Sequence, residues 1–527
     1  MTIPSSSSFQ HKLSLPHTPP NSSPPQSTLL LSSSTNNVLE PGLRIDQLKH
    51  SFQSLSSQQQ EWLLSEIVNQ CDHTHLSFLH DMITPRLKVD FLKRLPLEIS
   101  LYILSFINHP QSLGQIACVS KHWNQLLKDE TIWKTVYEQH YNHFNNSSSL
   151  IPQQNISDFS YRDQFIRRYR ISTAWKHGGH VKVVDEGLEG LVTSLQCDDK
   201  YIVVGCDNHR IEVFDTSTGN KIRTLLGHEG GVWALQFKGD DLPDHHQLQQ
   251  RILVSAGCDR DVRVWNLETG ELLHTLHGHI STVRCLKMKN KQLAVTGSRD
   301  CTLRIWDIEN GRAKHVLYGH QGSVRCLDIS GNVLVSGSYD HTARVWDLTT
   351  GECIHVLEGH QSFIYSIVTD GIKVAAGSLA THIRVWSVET GECLATLHGH
   401  TSLVGQLELV PGYDSMGPTL VSGGTDGCLR VWDWNEPFEC LQRISAHDSS
   451  ITCLQCDDQW IVSAGSDGRV KLWDRKEGRL IRTLANPAKT VWKTQFNQSK
   501  AILLMYRALN SNTDLGTTVL EIHDFDI

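Results

Sequence analysis

Two arginines stand five residues after a histidine in copies of one segment, GHISTVRC at 278–285 and GHQGSVRC at 319–326. The guanidiniums of Arg284 and Arg325 stay charged at any physiological pH and present a rigid fork of donors. At matching points of a repeat, such groups either converge on one anion or sit apart in solvent. A third, Arg299, precedes the turn aspartate in GSRD, 297–300. Three guanidiniums brought together repel one another without a counter-charge. A phosphate supplies about −1.5 to −2 charges and three strong acceptors. The chemistry on offer is therefore anion capture.

The elements that must position these groups are repeats. Gly-His pairs end at His228, His279, His320, His360 and His400, and an Ala-His ends at His447, at spacings of 51, 41, 40, 40 and 47 residues. A Trp-Asp pair or a variant follows in each unit: Phe214-Asp215, Trp265-Asn266, Trp306-Asp307, Trp346-Asp347, Trp386-Ser387, Trp432-Asp433 and Trp473-Asp474. Period and signature are those of WD40 propeller blades, four strands each. The count is eight blades over 176–527, with loop inserts at 240–250 and 411–418, and with HVKVV at 180–184 as the strand that closes the last blade.

Equivalent positions of a propeller form rings. Five residues after each histidine the ring reads Thr193, Trp233, Arg284, Arg325, Tyr365, Gly405, Thr452, Trp492. Before the turn aspartate it reads Cys206, Cys258, Arg299, Tyr339, Leu379, Thr425, Ser466 and, by a looser alignment, Arg507. Architectural positions repeat their chemistry, as do Asp259, Asp300, Asp340, Asp426 and Asp467, and also Arg263, Arg304, Arg344 and Arg384. The variable positions are the binding candidates. Trp233 and Trp492 offer flat apolar faces suited to proline or aliphatic side chains, so the implied ligand is a phosphorylated peptide with proline and an apolar residue.

Upstream, residues 1–43 are rich in Ser, Pro and Thr and read as a disordered arm. Residues 44–89 read as helical, with Ser57 and Gln60 as a capping box; the pattern alone leaves a dimerisation arm and a spacer equally open. Residues 90–140 read as a helical bundle in which Ile99, Ile103, Leu104 and Ile107 share one face. Residues 141–175 end in a linker helix over 157–175, whose Arg162, Arg167, Arg168 and Arg170 read as a solvated face. In 90–140 the ordered set LP-x-EI, IL, CVSKHWNQLL and D-x-x-IW resembles the F-box, which docks on the Skp adaptor of cullin-based ubiquitin ligases. That resemblance makes Leu95, Pro96, Ile99, Ile103, Leu104, Val119, Trp123 and Trp133 the adaptor-binding candidates.

An F-box followed by eight WD40 repeats with these arginines resembles the substrate receptors of SCF (Skp–cullin–F-box) ubiquitin ligases, of the cell division control protein 4 type. The resemblance implies that Arg284, Arg299 and Arg325 grip a phosphothreonine with Tyr339 assisting. It implies that Ser281 and Thr282 help with a second phosphate, that Trp233 and Trp492 line apolar and proline pockets, and that Arg507 contacts the peptide. It also implies a homodimer through 44–89, partnership with a cullin/RING ligase through the adaptor, and no catalysis in this chain. Thr18, with Pro19 and Ser22, resembles the Thr-Pro degrons such a receptor reads; the plainer reading is a generic proline-directed kinase site. Blade 5 departs from the pattern with Ala380 at the turn-aspartate position and Ser387 after its tryptophan.

Composition agrees. A net charge of −8 gives no field for nucleic acid, and no apolar run approaches the length of a membrane helix. The 14 cysteines are scattered singly, as in a reducing compartment, and no secretory signal is visible, so the nucleus, the cytoplasm or both are expected. No nucleophile elbow, phosphate loop or HExxH occurs, and no metal or cofactor is expected. Cys453 and Cys456 have zinc-like spacing, but three residues apart on a strand they face opposite ways. The competing function is a WD40 scaffold for unphosphorylated ligands.

Overall fold

Runs such as ILVSAG, LAVTGS and VLVSGS are apolar on both faces, the pattern of a strand held between two layers. The computed structural model describes residues 41–87, 90–107, 109–141, 160–184, 188, 190–239, 251–412, 416–508 and 516–526. In it each such run is the second strand of a four-stranded antiparallel sheet. Eight of these sheets follow one another among the described residues: blades 1 to 8, at 192–225, 232–276, 283–317, 324–357, 364–397, 404–445, 451–483 and 490–524. The eighth takes its outermost strand from upstream, as expected. His180–Val184 pairs antiparallel with Gly516–Asp524, His180 opposite Asp524 and Val184 opposite Leu520. The seam therefore exposes no raw strand edge. The predicted insert at 240–250 and part of that at 411–418 lie outside the described residues, as do Thr18, Ser22 and all but the last three residues of the predicted arm.

A buried polar chain ties five of the blades together. In blade 3, the Trp306 indole N–H donates to Thr296 Oγ1 at 2.7 Å. His279 Nε2 meets the same hydroxyl at 2.8 Å, and its Nδ1 meets Asp300 at 2.8 Å. Blades 2, 4, 6 and 7 repeat the chain on Ser255, Ser336, Ser422 and Ser463. Outside it, the Arg304 guanidinium donates to the Gly278 carbonyl at 2.8 Å and lies 5.8 Å over Trp306, an architectural role as expected. Blade 5 keeps its register, Ile364 opposite Ser378, but Ala376 and Ala380 remove both partners of His360. Burial first, then Arg384, lowers the His360 imidazole to about 4, and its Nε2 is buried without a partner. In blade 8 the register sets Ala501 opposite His523 and Leu503 opposite Glu521, where blade 3 has Ala294 opposite Trp306 and Thr296 opposite Arg304. His523 thus stands in the tryptophan's place.

The helices fall in two units, 1–94 and 95–527. The first holds α1 (Pro41–Ser54), α2 (Ser57–Asn69), α3 (His73–Leu87) and α4 (Phe91–Arg94). The capping residues of α2 are one position earlier than predicted: Ser56 N–H donates to Gln59 Oε1 at 3.1 Å. No side chain of α2 is buried.

The second unit begins with α5 (Leu97–Ser105), α6 (Pro110–Ala117), α7 (Lys121–Leu126) and α8 (Glu130–Tyr141), followed by α9 (Tyr161–His177). The predicted face of α5 is corrected: Ser100 and Leu104 turn inward, whereas Ile99 is 46% exposed. The charged face of α9 is solvated only in part: Arg162 and Arg170 are exposed, as predicted, whereas the other two arginines have partners. Arg167 makes a forked pair with Asp526, at 3.0 Å from Nε and 2.5 Å from Nη2, and Arg168 lies 5.1 and 5.3 Å over Tyr137 and Tyr141. Two turns later, Trp175 stacks on Phe525 at 3.9 Å and donates to the Gln498 carbonyl at 3.0 Å. Helix and propeller are bolted together at blades 7 and 8.

The innermost strands carry a polar belt. Gln196 and Gln455 each bond both backbone groups of a residue in the next blade, Phe237 and Phe496, and Gln236 and Gln495 accept from Met288 and Cys197. Blades 3, 4 and 6 place Lys287, Asp328 and Glu408 there. Lys287 pairs with Asp328 at 3.3 Å. Glu408 has no hydrogen-bond partner among the described residues. Burial pushes its carboxyl up to about 7; Lys287 opposes the rise and Asp328 adds to it. A carboxyl whose pKa rises on folding costs nothing while protonated in both states, and its cost grows from the ordinary value of 4.5 up to about 7. Glu408→Gln is therefore expected to be near neutral at pH 4 and to stabilise by about 1–3 kcal/mol at pH 8 in urea unfolding. Equal effects at both pH values would show that the carboxyl titrates normally.

Candidate functional site

All eight innermost strands share one irregularity. The pairing register slips at Thr193, Trp233, Arg284, Arg325, Tyr365, Gly405, Thr452 and Trp492, the bulged residue in each case. A bulge leaves one residue unpaired and re-aims its side chain. The first sequence ring is thus the set of eight residues released from the ladder at one end of the propeller. The other end of the same strands is where α9 docks.

The bulges of blades 2 to 5 assemble a basic and aromatic surface. Arg284 lies 4.8 Å over the Trp233 ring, and that ring is 40% exposed, with its indole N–H on Cys258 Sγ at 2.8 Å. Arg325 lies 5.8 Å over Tyr365. Tyr365 is 5.6 Å from Tyr339, which stacks on Phe363 at 4.7 Å. The turn residues are pinned by backbone: Arg299 N–H donates to the Thr282 carbonyl at 2.9 Å and Tyr339 N–H to that of Ser323 at 3.0 Å. Ser281 is tied by its carbonyl to the Ser298 hydroxyl at 3.0 Å. Ser281 and Thr282 stand half-buried, three and two residues before Arg284.

The charge balance is distinctive. Among the described residues, no carboxylate lies within ion-pair distance of Arg284, Arg299 or Arg325. Arg251 pairs with Asp198 and Glu268, Arg263 with Asp259 and Asp261, and Arg507 with Glu521. A guanidinium stacked on a ring and lacking an anion is prepared to take one. Among the described residues no cluster of three or more His, Cys, Asp or Glu is placed to hold a metal, and all 14 cysteines are free. Cys453 and Cys456 belong to separate core clusters on opposite faces of their strand.

The register corrects the second sequence ring at two places. Val192 pairs with Cys206, as Val283 pairs with Ser298, so the residue equivalent to Arg299 in blade 1 is Asp207, not Cys206. Val491 pairs with Met505, so in blade 8 it is Tyr506, not Arg507. Arg507 lies one step further and turns to Glu521. Trp492 is half-buried in the core of blades 8 and 1, its indole N–H buried without a partner, and Tyr506 meets it edge-on at 6.4 Å. Phe363 escaped the sequence reading. The signal lay three residues after each histidine, where its counterparts Gly231, Thr282, Ser323, Leu403 and Ser450 are not aromatic.

On the helical side, Pro96, Ile99 and Val119 are exposed, and Leu95, Ile103 and Trp123 are partly so. Leu104 and Trp133 are core residues, the latter donating to the Leu127 carbonyl at 2.7 Å, and neither presents a surface. Leu97, Tyr102 and Phe106 complete the exposed apolar face, with Tyr102 and Phe106 4.8 Å apart. Periodicity in a nine-residue helix could not select between its two apolar faces.

Comparison with known proteins gives three family models: one described as IFT122 first beta-propeller over 245–508, F-box-like over 92–139, and WD domain, G-beta repeat over 219–266. The chain is 32% identical over 236 residues to cell division control protein 4 of Saccharomyces cerevisiae, covering 42% of this chain and 29% of that one. It is 34% identical over 271 residues to F-box/WD repeat-containing protein sel-10 of Caenorhabditis elegans, covering 45% and 43%. It is 27% identical over 201 residues to the probable E3 ubiquitin ligase complex SCF subunit sconB of Arthroderma otae, covering 33% and 30%. The chain thus spans less than half the length of these relatives.

Without partners to strand, Arg284→Ala, Arg299→Ala and Arg325→Ala are each expected to change unfolding free energy by less than about 1 kcal/mol. Arg507→Ala, which leaves buried Glu521 with only the His523 imidazole beside it, is expected to cost about 1–3 kcal/mol. Thermal unfolding of the four variants checks the contrast.

Proposed function

Because the chain belongs to the family of proteins that join an F-box to a WD40 propeller, we propose that it is the substrate-recognition subunit of an SCF-type ubiquitin ligase. Its propeller captures phosphorylated Thr-Pro segments, and its F-box docks on the Skp adaptor. The observation that carries this reading is the set of three arginines without counter-charge on blades 3 and 4, two of them stacked over aromatic rings of the neighbouring blades. They lie at the end of the inner strands remote from the helix that leads to the F-box. The phosphate sits between Arg284, Arg299 and Arg325, with Tyr339 beside it, and the Trp233 ring takes proline or an aliphatic neighbour. Ser281 and Thr282 flank Arg284, where a second phosphate would be met. The apolar face of Leu97, Ile99, Tyr102, Phe106 and Val119 is the adaptor surface. No group in this scheme performs chemistry, so the chain positions a substrate for a catalytic partner. The reading places it in the nucleus or cytoplasm, in keeping with 14 free cysteines.

The test is fluorescence polarisation of the full chain with a labelled peptide carrying leucine, phosphothreonine and two prolines, beside its unphosphorylated twin. Each charge-assisted contact contributes roughly 1.5–3 kcal/mol, so each single arginine-to-alanine variant should weaken binding at least tenfold. Equal binding of the two peptides would favour the scaffold reading instead.

The same reading makes 44–89 a dimerisation arm. Trp62 is 69% and Phe78 62% exposed, with Leu64, Ile67 and Met82 also bare, on helices of which α2 buries nothing. Light scattering is expected to report a dimer that Trp62→Ser combined with Phe78→Ser converts to monomer; an unchanged mass would remove the arm reading.

A further inference from the structure

Arg507, displaced from the arginine surface by register, lines a separate cavity of about 530 Å³ between blades 7 and 8. Its outer wall is the closing strand, through Val181 and Val183. Its lid is the connection 484–487, and its back is Glu521 and His523. The connection runs on the same face as the arginine surface, tied there by Ala488 N–H on the Gly468 carbonyl and Lys489 N–H on that of Tyr506.

The cavity has a structural origin. By register, blade 8 replaces the recurrent tryptophan with His523, the recurrent strand arginine with Glu521, and the turn aspartate with Arg507. Arg507 at the turn pairs with Glu521 on the strand, a contact that blade 2 approaches with the opposite polarity, Arg263 to Asp259 at 4.0 Å. An indole that packs this level in blades 2 to 7 is gone. What remains is space for a flat ring below a cationic rim. His523 Nε2 faces Glu521 Oε2 at 3.4 Å, and its Nδ1 is buried without a partner. At the rim, Arg469 is 44% exposed and held only by Asp448, which is itself in solvent. Val183 is 53% exposed, bare apolar surface on a strand whose sealing role needs only its backbone.

We propose that this cavity is a second peptide subsite. It takes an aromatic side chain next to a carboxylate, from the same phosphopeptide that occupies the arginine surface. The ring fills the level of the missing indole, and the carboxylate meets Arg469 at the rim, beside the Arg507–Glu521 pair. This rests on the phosphopeptide reading of that surface and adds a specificity element to it. A substrate would be selected by an acidic aromatic segment as well as by its phosphothreonine.

The experiment compares, on the full chain, the core phosphopeptide above with versions extended at either end by two, four, six or eight Gly/Ser residues and Trp-Asp. At the matching spacer the tail is expected to tighten binding at least tenfold. His523→Trp, which restores the residue of the other blades and fills the cavity, is expected to abolish that gain and leave the core peptide unaffected. Should His523→Trp fail to fold, Val183→Glu combined with Arg469→Ser makes the same test from the rim. A core peptide that binds while no tail adds even twofold overturns the subsite and leaves the phosphopeptide reading standing. If the core peptide does not bind, saturation-transfer NMR with acetyl-Trp-Asp-amide tests the cavity alone. Signal lost in the filled variant then supports it, and no signal overturns it.

Discussion

The pairing of His180–Val184 with Gly516–Asp524 is the constraint on which the molecule depends. A propeller is a closed ring of sheets, each packed on two neighbours. Here the ring is sealed by a strand that comes from the other end of the domain. Without that ladder, blade 8 has three strands and an open edge, and blades 7 and 1 lose a packing partner. The arginine surface needs closure in turn, because its groups come from different blades. Only the pseudo-rotation of a closed ring brings Trp233, Arg284, Arg325 and Tyr365 to one level.

Within that ring, structure and recognition are divided by a simple device. In every inner strand a paired and buried residue precedes the bulge: Val283, Val324, Ile364 and Val404 are fully enclosed. The next is bulged out of the ladder. Packing therefore holds the backbone to a fraction of an ångström while leaving the following side chain free of architectural duty. Residues at the bulge range from glycine to tryptophan without disturbing the blades, so recognition can vary over a fixed frame.

Much of this was legible in the sequence because repeats supply their own alignment. The blade count, the closing strand, the repeating turn aspartates and the departure of blade 5 follow from a period near 40 and a handful of marked positions. The reading failed where those marks fade. Blade 8 has no Gly-His, no Trp-Asp and no aspartate turn, so Arg507 was put one residue out of place and Tyr506 overlooked; only the strand register shows which residue follows the paired Met505. Short helices gave the other errors. α5 has apolar residues on both faces, and no spacing rule reveals that Leu104 is core while Ile99 is surface. Arg167 and Arg168 looked solvated because their partners lie hundreds of residues downstream or on another helix.

The anchor of α9 has a consequence for biogenesis. Trp175 is seated on Phe525, and Arg167 on Asp526, while Gly179, the residue just before the closing strand, has its Cα pressed so near the Asp524 carbonyl that any side chain would overlap it. A ribosome makes the F-box helices more than 300 residues before these anchoring residues. Until residues 516–526 emerge, the F-box can fold but has no fixed bearing on the propeller. The closing strand waits as well, its partner not yet synthesised. Geometry between the helical face and the arginine surface is therefore acquired only once 516–526 have emerged, in the same step that closes the ring. A chain interrupted late in synthesis would carry an F-box without a propeller held in register behind it.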